Sequence, residues 1–132
     1  MVRTTCGVIV MREKAIISFL ILLNSDSRNT YDIPKGRMDS GEDEKTCALR
    51  ELFEETGIRP EDIDLDMGFR HYVYDKNKQK KLVIFLGWLR QKVAIKLSKE
   101  HTDYKWIDWN PPHSIQQQTI DPLLSYLEDY FL

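Results

Sequence analysis

Residues 36–58, GRMDSGEDEKTCALRELFEETGI, constrain the fold of this chain more than any other stretch. A loop with two glycines and several acids leads into a predicted helix at residues 43–56, and Gly57 suits a left-handed C-cap. At about 100° per residue, three glutamates share one arc of this helix and apolar residues share the next: Glu51, Glu54 and Glu55, and Ala48, Leu49, Leu52 and Phe53. The helix is expected to pack on a core and to present a row of carboxylates beside it.

The carboxylate row needs a counterpart, because like charges at i, i+4 repel each other by roughly a few tenths of a kcal/mol per pair. Such a row either faces water, the ordinary case for an arbitrary helix, or binds cations. The flexible glycine loop and the adjacent Arg50, which can hold a carboxylate through a bidentate pair, favour a cation site here. Mg²⁺ takes a few protein oxygens together with water or phosphate. Glu42 adds a fourth carboxylate just before the helix.

This segment resembles the Nudix box, G-x5-E-x7-R-E-U-x-E-E-x-G-U with U aliphatic, and no defined position departs from it. The matching residues are Gly36, Glu42, Arg50, Glu51, Leu52, Glu54, Glu55, Gly57 and Ile58. The resemblance implies a hydrolase that cleaves a nucleoside diphosphate linked to another moiety and uses Mg²⁺ or Mn²⁺. It also implies that Glu51, Glu54 and Glu55 are metal ligands. Arg50 would then orient the cluster, and Glu42 would be an accessory carboxylate.

Composition and charge limit the classes of partner. The chain has 132 residues, which we interpret as a single domain at 1–132. Its net charge of −2 argues against an extended nucleic-acid surface or a membrane partner, so we expect the partner to be a small nucleotide. The chain is also expected to be a monomer. The apolar run at residues 15–23 is too short to span a bilayer and no signal peptide is recognised, which predicts a cytoplasmic location. Cys6 and Cys47 are expected to be reduced thiols.

Branched and aromatic residues predict a sheet around the box helix. Strands are expected at residues 4–11, 16–23, 63–74, 81–89 and 104–108. Other predicted segments are a polar loop at 24–30, an extended piece at 31–33, a hairpin loop at 75–79, a short strand or extended connection at 93–97, and an amphipathic helix at 113–132. This order indicates an α/β fold with a mixed β-sheet, and the family resemblance sharpens it to the Nudix α/β/α sandwich.

A second pattern, L-S-x-E-H-x-x-Y-x-W at residues 97–106, resembles the segment downstream of the box in the asymmetric diadenosine tetraphosphate hydrolase branch of the family. Carried over by position, Glu100 would be a further metal ligand or the general base, and Tyr104 would line the nucleotide pocket. His101 would position Glu100 or a phosphate. The remaining substrate-binding candidates are Lys35, Gly36, Lys78, Lys80 and Lys81.

Each of these assignments has a plainer alternative. A hairpin lysine is ordinarily solvated, and Tyr104 could belong to the core because it alternates with Trp106. Other aromatic and histidine residues are expected to have structural places: Trp88 and Trp109 in packing, His71 in a strand, and His113 as an exposed residue at a helix start. No histidine is spaced for a triad with serine or cysteine, so covalent catalysis is not expected.

The first functional hypothesis is Mg²⁺-dependent hydrolysis of diadenosine tetraphosphate to ATP and AMP by water. The alternatives with the same chemistry are 5′-triphosphorylated or capped RNA, ADP-ribose, an inositol pyrophosphate and a damaged nucleoside triphosphate. A non-catalytic nucleotide sensor is a further alternative, but such modules usually lose one or more box glutamates. The general base is left open between Glu100 and a carboxylate of the box.

Overall fold

The computed structural model describes residues 2–26 and 29–132. Its strands are β1 (Arg3–Glu13), β2 (Ile17–Asn24), β3 (Tyr31–Asp32), β4 (Lys35–Arg37), β5 (Ile63–Tyr74), β6 (Lys80–Leu89) and β7 (His101–Asp108). Its helices are α1 (Glu44–Thr56) and α2 (Asp121–Phe131), with a 3₁₀ turn at Pro60–Asp62. The predicted polar loop at 24–30 includes Ser27 and Arg28, which lie outside the described residues.

The strands form one mixed sheet in the order β3-β2-β1-β6-β5, with β4 also on β1 and β7 on β2. β1 runs parallel to β6, and the other pairs are antiparallel. This confirms the predicted mixed sheet. One edge of β1 is shared between two partners: β4 pairs with its first half, from Thr5 to Gly7, and β2 with its end, from Met11 to Glu13. The residues just after β2 and at the start of β4 border a cavity.

Alternate residues of β1 face opposite sides of the sheet, and each side has its own core and its own helix. The core under α1 contains Cys6, Val8, Val10, Leu20, Leu22, Cys47, Ala48, Leu52, Ile58, Ile63, Val83 and Phe85. The core under α2 contains Ile9, Met11, Phe19, Ile21, Ile33, Phe69, Ile84, Leu86, Ile120, Leu123, Leu124 and Leu127. One helical layer on each face of the sheet confirms the α/β/α sandwich. Strand β1 is apolar on both faces because it lies between the two cores.

Helix α1 begins at an Asp43 side-chain cap and ends at the glycine cap that its sequence predicts. The Asp43 side chain accepts a hydrogen bond from the Thr46 N–H at 2.7 Å. Gly57 has φ of 78°, and its N–H donates to the Phe53 carbonyl at 2.8 Å. The prediction that Phe53 packs on the core is wrong, since its side chain is 47% exposed. Adjacent residues lie about 100° apart on a helix, so Leu52 is buried and Phe53 turns outward.

The prediction of a helix from His113 is wrong in its starting point, because α2 begins at Asp121. Pro122 lies in the first turn of α2, where its missing N–H costs nothing, whereas a proline within a helix breaks the hydrogen-bond ladder. The chain before it forms a loop that the Asp121 carboxylate holds by accepting hydrogen bonds from the N–H groups of Ile115, at 2.8 Å, and Gln116, at 3.1 Å. This loop packs beside β3, where the Gln116 side chain accepts the Tyr31 N–H at 2.8 Å.

The prediction that His113 is exposed is also wrong. Its side chain is only 4% exposed, and its Nδ1 lies 3.4 Å from a carboxylate oxygen of Glu128. Its ring lies edge-on to Phe19, with centroids 5.4 Å apart. The preceding loop turns the residue inward, where it joins the packing between β2 and α2.

Other local predictions are confirmed. His71 stacks on Tyr126 with ring centroids 3.6 Å apart, and Trp109 lies edge-on to Phe19 and Phe131, which are structural positions. Trp88 likewise packs near Phe131. Cys6 and Cys47 are buried free thiols, and residues 93–97 form a connection without regular secondary structure rather than a strand. No helix in the described part of the chain is long and apolar enough to cross a membrane.

Candidate active site

Strand β4 brings the first residue of the box directly against α1. Gly36 pairs with Cys6 of β1, and a Cβ atom at this glycine would lie 1.9 Å from Cδ of Glu51. Only a residue without a side chain allows this approach. The box glycine therefore lets the Glu51 carboxylate lie over the β4 backbone. A contribution of Gly36 to substrate binding stays a prediction.

Arg50 gathers the other acids of the box around one guanidinium. Its Nε donates to Glu42 at 2.6 Å, and its Nη1 donates to Glu51 at 2.9 Å and to Glu54 at 2.8 Å. Its Nη2 donates to Glu42 and to the Arg37 carbonyl, both at 3.0 Å. Charge-assisted bonds in this forked geometry are strong and directional. Arg50 thus holds the carboxylates in one cluster and offsets their mutual repulsion.

Two of the carboxylates that Arg50 holds, those of Glu42 and Glu51, differ in their pKa values. The hydrogen bonds from Arg50, followed by one from the Asp39 N–H at 3.0 Å, lower the pKa of Glu42 to about 2. Burial raises the pKa of Glu51 above its ordinary value, although the hydrogen bond from Arg50 acts in the opposite direction. Glu42 is therefore an ionised anchor for Arg50, whereas Glu51 is a partly buried carboxylate that would gain from additional positive charge.

Glu55 is the most buried glutamate of the box, with 4% of its surface exposed. Its Oε1 accepts a hydrogen bond from the backbone N–H of Lys35 at 3.0 Å. One of its carboxylate oxygens lies within 4.8 Å of a carboxylate oxygen of Glu100, which precedes β7. Burial, and then the neighbouring Glu100 carboxyl group, raise the pKa of Glu55 to about 9. Two carboxylates this close repel each other, and a bound cation would offset that repulsion.

A cavity of about 310 Å³ opens beside these two glutamates, between the end of β2 and the start of β4. It is lined by Asn24, Ser25, Asp26, Asp32, Ile33, Lys35, Glu55, Glu100 and His101. One ligand atom from each of Glu55, Glu100 and His101 lies within 4.8 Å of the other two. Two carboxylates and an imidazole are a suitable donor set for a divalent cation. The residues present therefore fit the metal that the box resemblance implies.

Lys35 also borders a second cavity, of about 320 Å³, on the side of the β5–β6 hairpin. Its lining contains Thr5, Lys35, Val73, Tyr74, Asp75, Lys80, Lys81 and Leu82. Three of the predicted phosphate-binding lysines thus lie around one space that adjoins the glutamates. The Nζ atoms of Lys35 and Lys81 are each 3.0 Å from a carboxylate, of Asp32 and Glu44 respectively. Lys78 is not among the lining residues.

Tyr104 lies in a different place from the lysines. It pairs with Leu22 across β2 and β7, and it lines a third cavity, of about 290 Å³, together with Arg12 and Trp106. Tyr104 has 37% of its surface exposed, so it is not a core residue. Its role in nucleotide binding stays a prediction, and the tyrosine that shares a cavity with the lysines is Tyr74.

Sequence reasoning did not single out Asp32 and Tyr74. Asp32 is 8% exposed, pairs with Lys35, and accepts the Ile33 N–H at 2.8 Å. The available signal was an acid within a short, otherwise hydrophobic piece just before Pro34. Tyr74 is the last residue of β5, and its signal was an exposed aromatic residue next to a hairpin rich in lysine.

In the metal-free protein, we expect the free energy of unfolding to fall as the pH rises from about 4.5 to about 9. Folded Glu55 keeps its proton in this range, whereas the unfolded chain loses it near pH 4.5. The folded state therefore binds the additional proton, and each pH unit can remove up to about 1.4 kcal/mol. Urea unfolding in a chelator, at about pH 5.5 and about pH 8.5, measures the slope. Glu55→Gln should flatten it, and an equal slope in the variant would contradict the assignment.

Comparison with known proteins identifies the family. The NUDIX domain model matches residues 1–126. The asymmetrical bis(5'-nucleosyl)-tetraphosphatase of Mus musculus is 38% identical, over 77% of this chain and 76% of that protein. A C. elegans Ap4A hydrolase binary complex superposes with a TM-score of 0.84 at 28% identity, over 98% of each chain. An RNA pyrophosphohydrolase of Francisella tularensis subsp. mediasiatica is 25% identical, over 79% of this chain and 81% of that protein. The chain therefore belongs to the Nudix hydrolase family.

Proposed function

We propose that this chain, acting as one Nudix domain at 1–132, hydrolyses diadenosine tetraphosphate (Ap4A) to ATP and AMP. The observation that carries the proposal is the pair of adjoining cavities, one with Glu55 and Glu100 and one with the hairpin lysines, which Lys35 joins. A chain of four phosphates needs both a place where one phosphorus reacts and a row of cations for the rest. The names of the mouse and C. elegans relatives support the same substrate.

The metal in this proposal is Mg²⁺, which Mn²⁺ can replace, and its ligands are Glu51, Glu54, Glu55 and Glu100. A bound divalent cation would reduce the negative charge of the phosphates and lower the pKa of a bound water. Arg50 keeps the box carboxylates oriented through the bonds described above. Arg50 would thus keep the proposed ligands oriented before substrate arrives, which would avoid reorganisation during the reaction.

The protein's own residues supply the remaining functions. Lys35, Lys80 and Lys81 hold the polyphosphate as point charges. Asp32 keeps Lys35 in place, and Glu44 keeps Lys81 in place. Glu55 and Glu100 lie close together in this cavity, and the ionised form of either one could accept the proton that the attacking water gives up. The general base is then Glu55 or Glu100, and the reaction requires no covalent intermediate.

Hydrolysis of a 5′-triphosphate end of RNA is the second candidate, and the similarity to an RNA pyrophosphohydrolase supports it. The net charge of −2 disfavours it, since RNA affinity depends on many phosphate contacts. A nucleotide sensor without turnover is disfavoured because Glu51, Glu54 and Glu55 are all present. ADP-ribose, inositol pyrophosphates and damaged nucleoside triphosphates have no observation in their favour beyond the shared chemistry.

A substrate panel in ¹⁸O-labelled water tests the proposal. We expect Ap4A to be turned over faster than a 5′-triphosphorylated oligonucleotide, ADP-ribose, an inositol pyrophosphate or 8-oxo-dGTP at equal concentration with Mg²⁺. The products should be ATP and AMP, and mass spectrometry should find a single ¹⁸O in one of them. Excess chelator should abolish turnover.

Faster release of pyrophosphate from the triphosphorylated oligonucleotide would overturn the proposal in favour of RNA. Turnover of another member of the panel would retain the metal helix but reject the assigned substrate. No turnover of any member, with binding of Ap4A retained, would favour the sensor.

A further inference from the structure

His101 has an unusual position for a histidine. It is 8% exposed, and its Nδ1 is the one buried side-chain nitrogen or oxygen in residues 2–26 and 29–132 that has no hydrogen-bond partner. A buried polar atom in this state costs about 1–3 kcal/mol. Such atoms are rare in folded proteins and each needs an explanation. The cavity that His101 lines beside Glu55 and Glu100 offers one.

The backbone fixes His101 and Glu100 without help from their side chains. The Ser25 N–H donates to the Glu100 carbonyl at 2.8 Å, and the His101 N–H donates to the Ser98 carbonyl at 3.2 Å. His101 also pairs with Asn24 at the irregular end of the β2–β7 ladder. The turn before β7 is therefore attached to β2, and both side chains are delivered to the cavity whether or not a ligand is bound.

The spacing of the three side chains suits a single ion. Ligand atoms of Glu55, Glu100 and His101 lie within 4.8 Å of one another. Ligands at about 2.0–2.3 Å from a common cation cannot be more than about 4.6 Å apart, so small side-chain movements bring all three to bonding distance. Arg50 donates its hydrogen bonds to Glu42, Glu51 and Glu54, so it does not supply the positive charge that Glu55 and Glu100 need.

We propose that His101 is a metal ligand, and that it binds a divalent cation together with Glu55 and Glu100. The proposal deepens the proposed function and rests on the same acidic site. It adds a nitrogen ligand that lies outside the box and outside the metal ligands predicted from the sequence. An imidazole raises the affinity for Mn²⁺, Co²⁺ and Zn²⁺ more than that for Mg²⁺, which prefers oxygen. The site should therefore bind Mn²⁺ more tightly than an all-carboxylate site would.

Pulsed electron paramagnetic resonance of the full chain with Mn²⁺ and no substrate tests this. The expected result is nitrogen modulation from a directly bound imidazole, which changes when histidine is labelled with ¹⁵N. His101→Gln should remove the modulation and weaken Mn²⁺ binding about tenfold or more, with a smaller change for Mg²⁺. His71→Gln is the matched control, since His71 stacks on Tyr126 of α2. This variant should leave the nitrogen modulation and the Mn²⁺ affinity unchanged.

The outcomes separate this proposal from the proposed function. Stoichiometric Mn²⁺ without nitrogen modulation in the unmodified chain overturns His101 ligation, even if Ap4A is hydrolysed. Nitrogen modulation that persists in His101→Gln also overturns it. Nitrogen modulation that His101→Gln removes supports it, whatever the substrate panel shows. The ¹⁵N comparison requires no substitution, so the test stands if the variant fails to fold.

Discussion

Replacing Glu55 by glutamine is expected to lower kcat for Ap4A on the order of 10³-fold, or about 4 kcal/mol of transition-state stabilisation. Glu55 is central to both parts of the site, because its carboxylate lies within 4.8 Å of that of Glu100 and accepts a hydrogen bond from the Lys35 backbone. Glutamine has the same shape but no charge, so it is a poor ligand for a hard cation. Steady-state kinetics over a range of Mg²⁺ concentrations measure the loss.

The fold should survive this change. In the metal-free protein Glu55 is largely protonated near neutral pH, since its pKa is raised to about 9, and a glutamine resembles that neutral form. Its amide oxygen can still accept the Lys35 N–H. Glu61→Gln is the matched control, because Glu61 is an exposed residue of the 3₁₀ turn, and its kcat should change less than about twofold. If Glu55→Gln keeps more than about a tenth of the activity, the assigned cation cluster is wrong.

Replacing Arg50 by methionine is expected to have the second largest effect, and to act on both stability and activity. The change leaves Glu42, Glu51 and Glu54 close together without the guanidinium that holds them. The Arg50 side chain is 29% exposed, so the loss should be below that of a fully buried pair, at about 2 kcal/mol of unfolding free energy. Activity should fall about 10²-fold, with a higher Mg²⁺ requirement because the ligands are no longer oriented.

Arg90→Met is the matched control for the loss of an arginine. Arg90 pairs with Asp64 at 2.6 Å, but the two side chains are 58% and 60% exposed, and such pairs contribute about 0–1 kcal/mol. Urea unfolding in a chelator compares the two variants. Adding Mg²⁺ should recover part of the stability lost in the Arg50 variant, because the cation takes over some of the neutralising charge. Equal destabilisation of the two variants would show that Arg50 does not organise the cluster.

The elements that sequence reasoning predicted well are those that depend on neighbours in the chain. The box helix lies within the predicted residues 43–56 and ends at the predicted Gly57 cap, and the hairpin and its strands lie where turn and branched residues indicated them. These signals are local, since capping and backbone propensity act within about four residues. The start of α2 was also a local feature, which Pro122 indicated and helical periodicity obscured.

Side-chain direction was harder to predict where two rules compete. Phe53 has an apolar side chain next to Leu52, but a helix can bury only one arc. The core under α1 contains Leu52, and Phe53 is left exposed. His113 follows two prolines in a polar stretch, yet the loop turns it between Phe19 and Glu128. Both cases depend on which surface the chain meets, and that surface comes from distant segments.

The family, the layered fold and the identity of the acidic residues could all be read from the amino-acid sequence, because the box concentrates the acids in 23 consecutive positions, 36–58. How those acids are divided could be seen only once the chain was folded. Arg50 takes Glu42, Glu51 and Glu54, while Glu55 meets Glu100, and Lys35 joins the two cavities. The fold also brought His101 to the cavity beside Glu55 and Glu100. The physical reason is that electrostatic and hydrogen-bond partners are chosen by distance in space, which strand pairing sets across the whole chain.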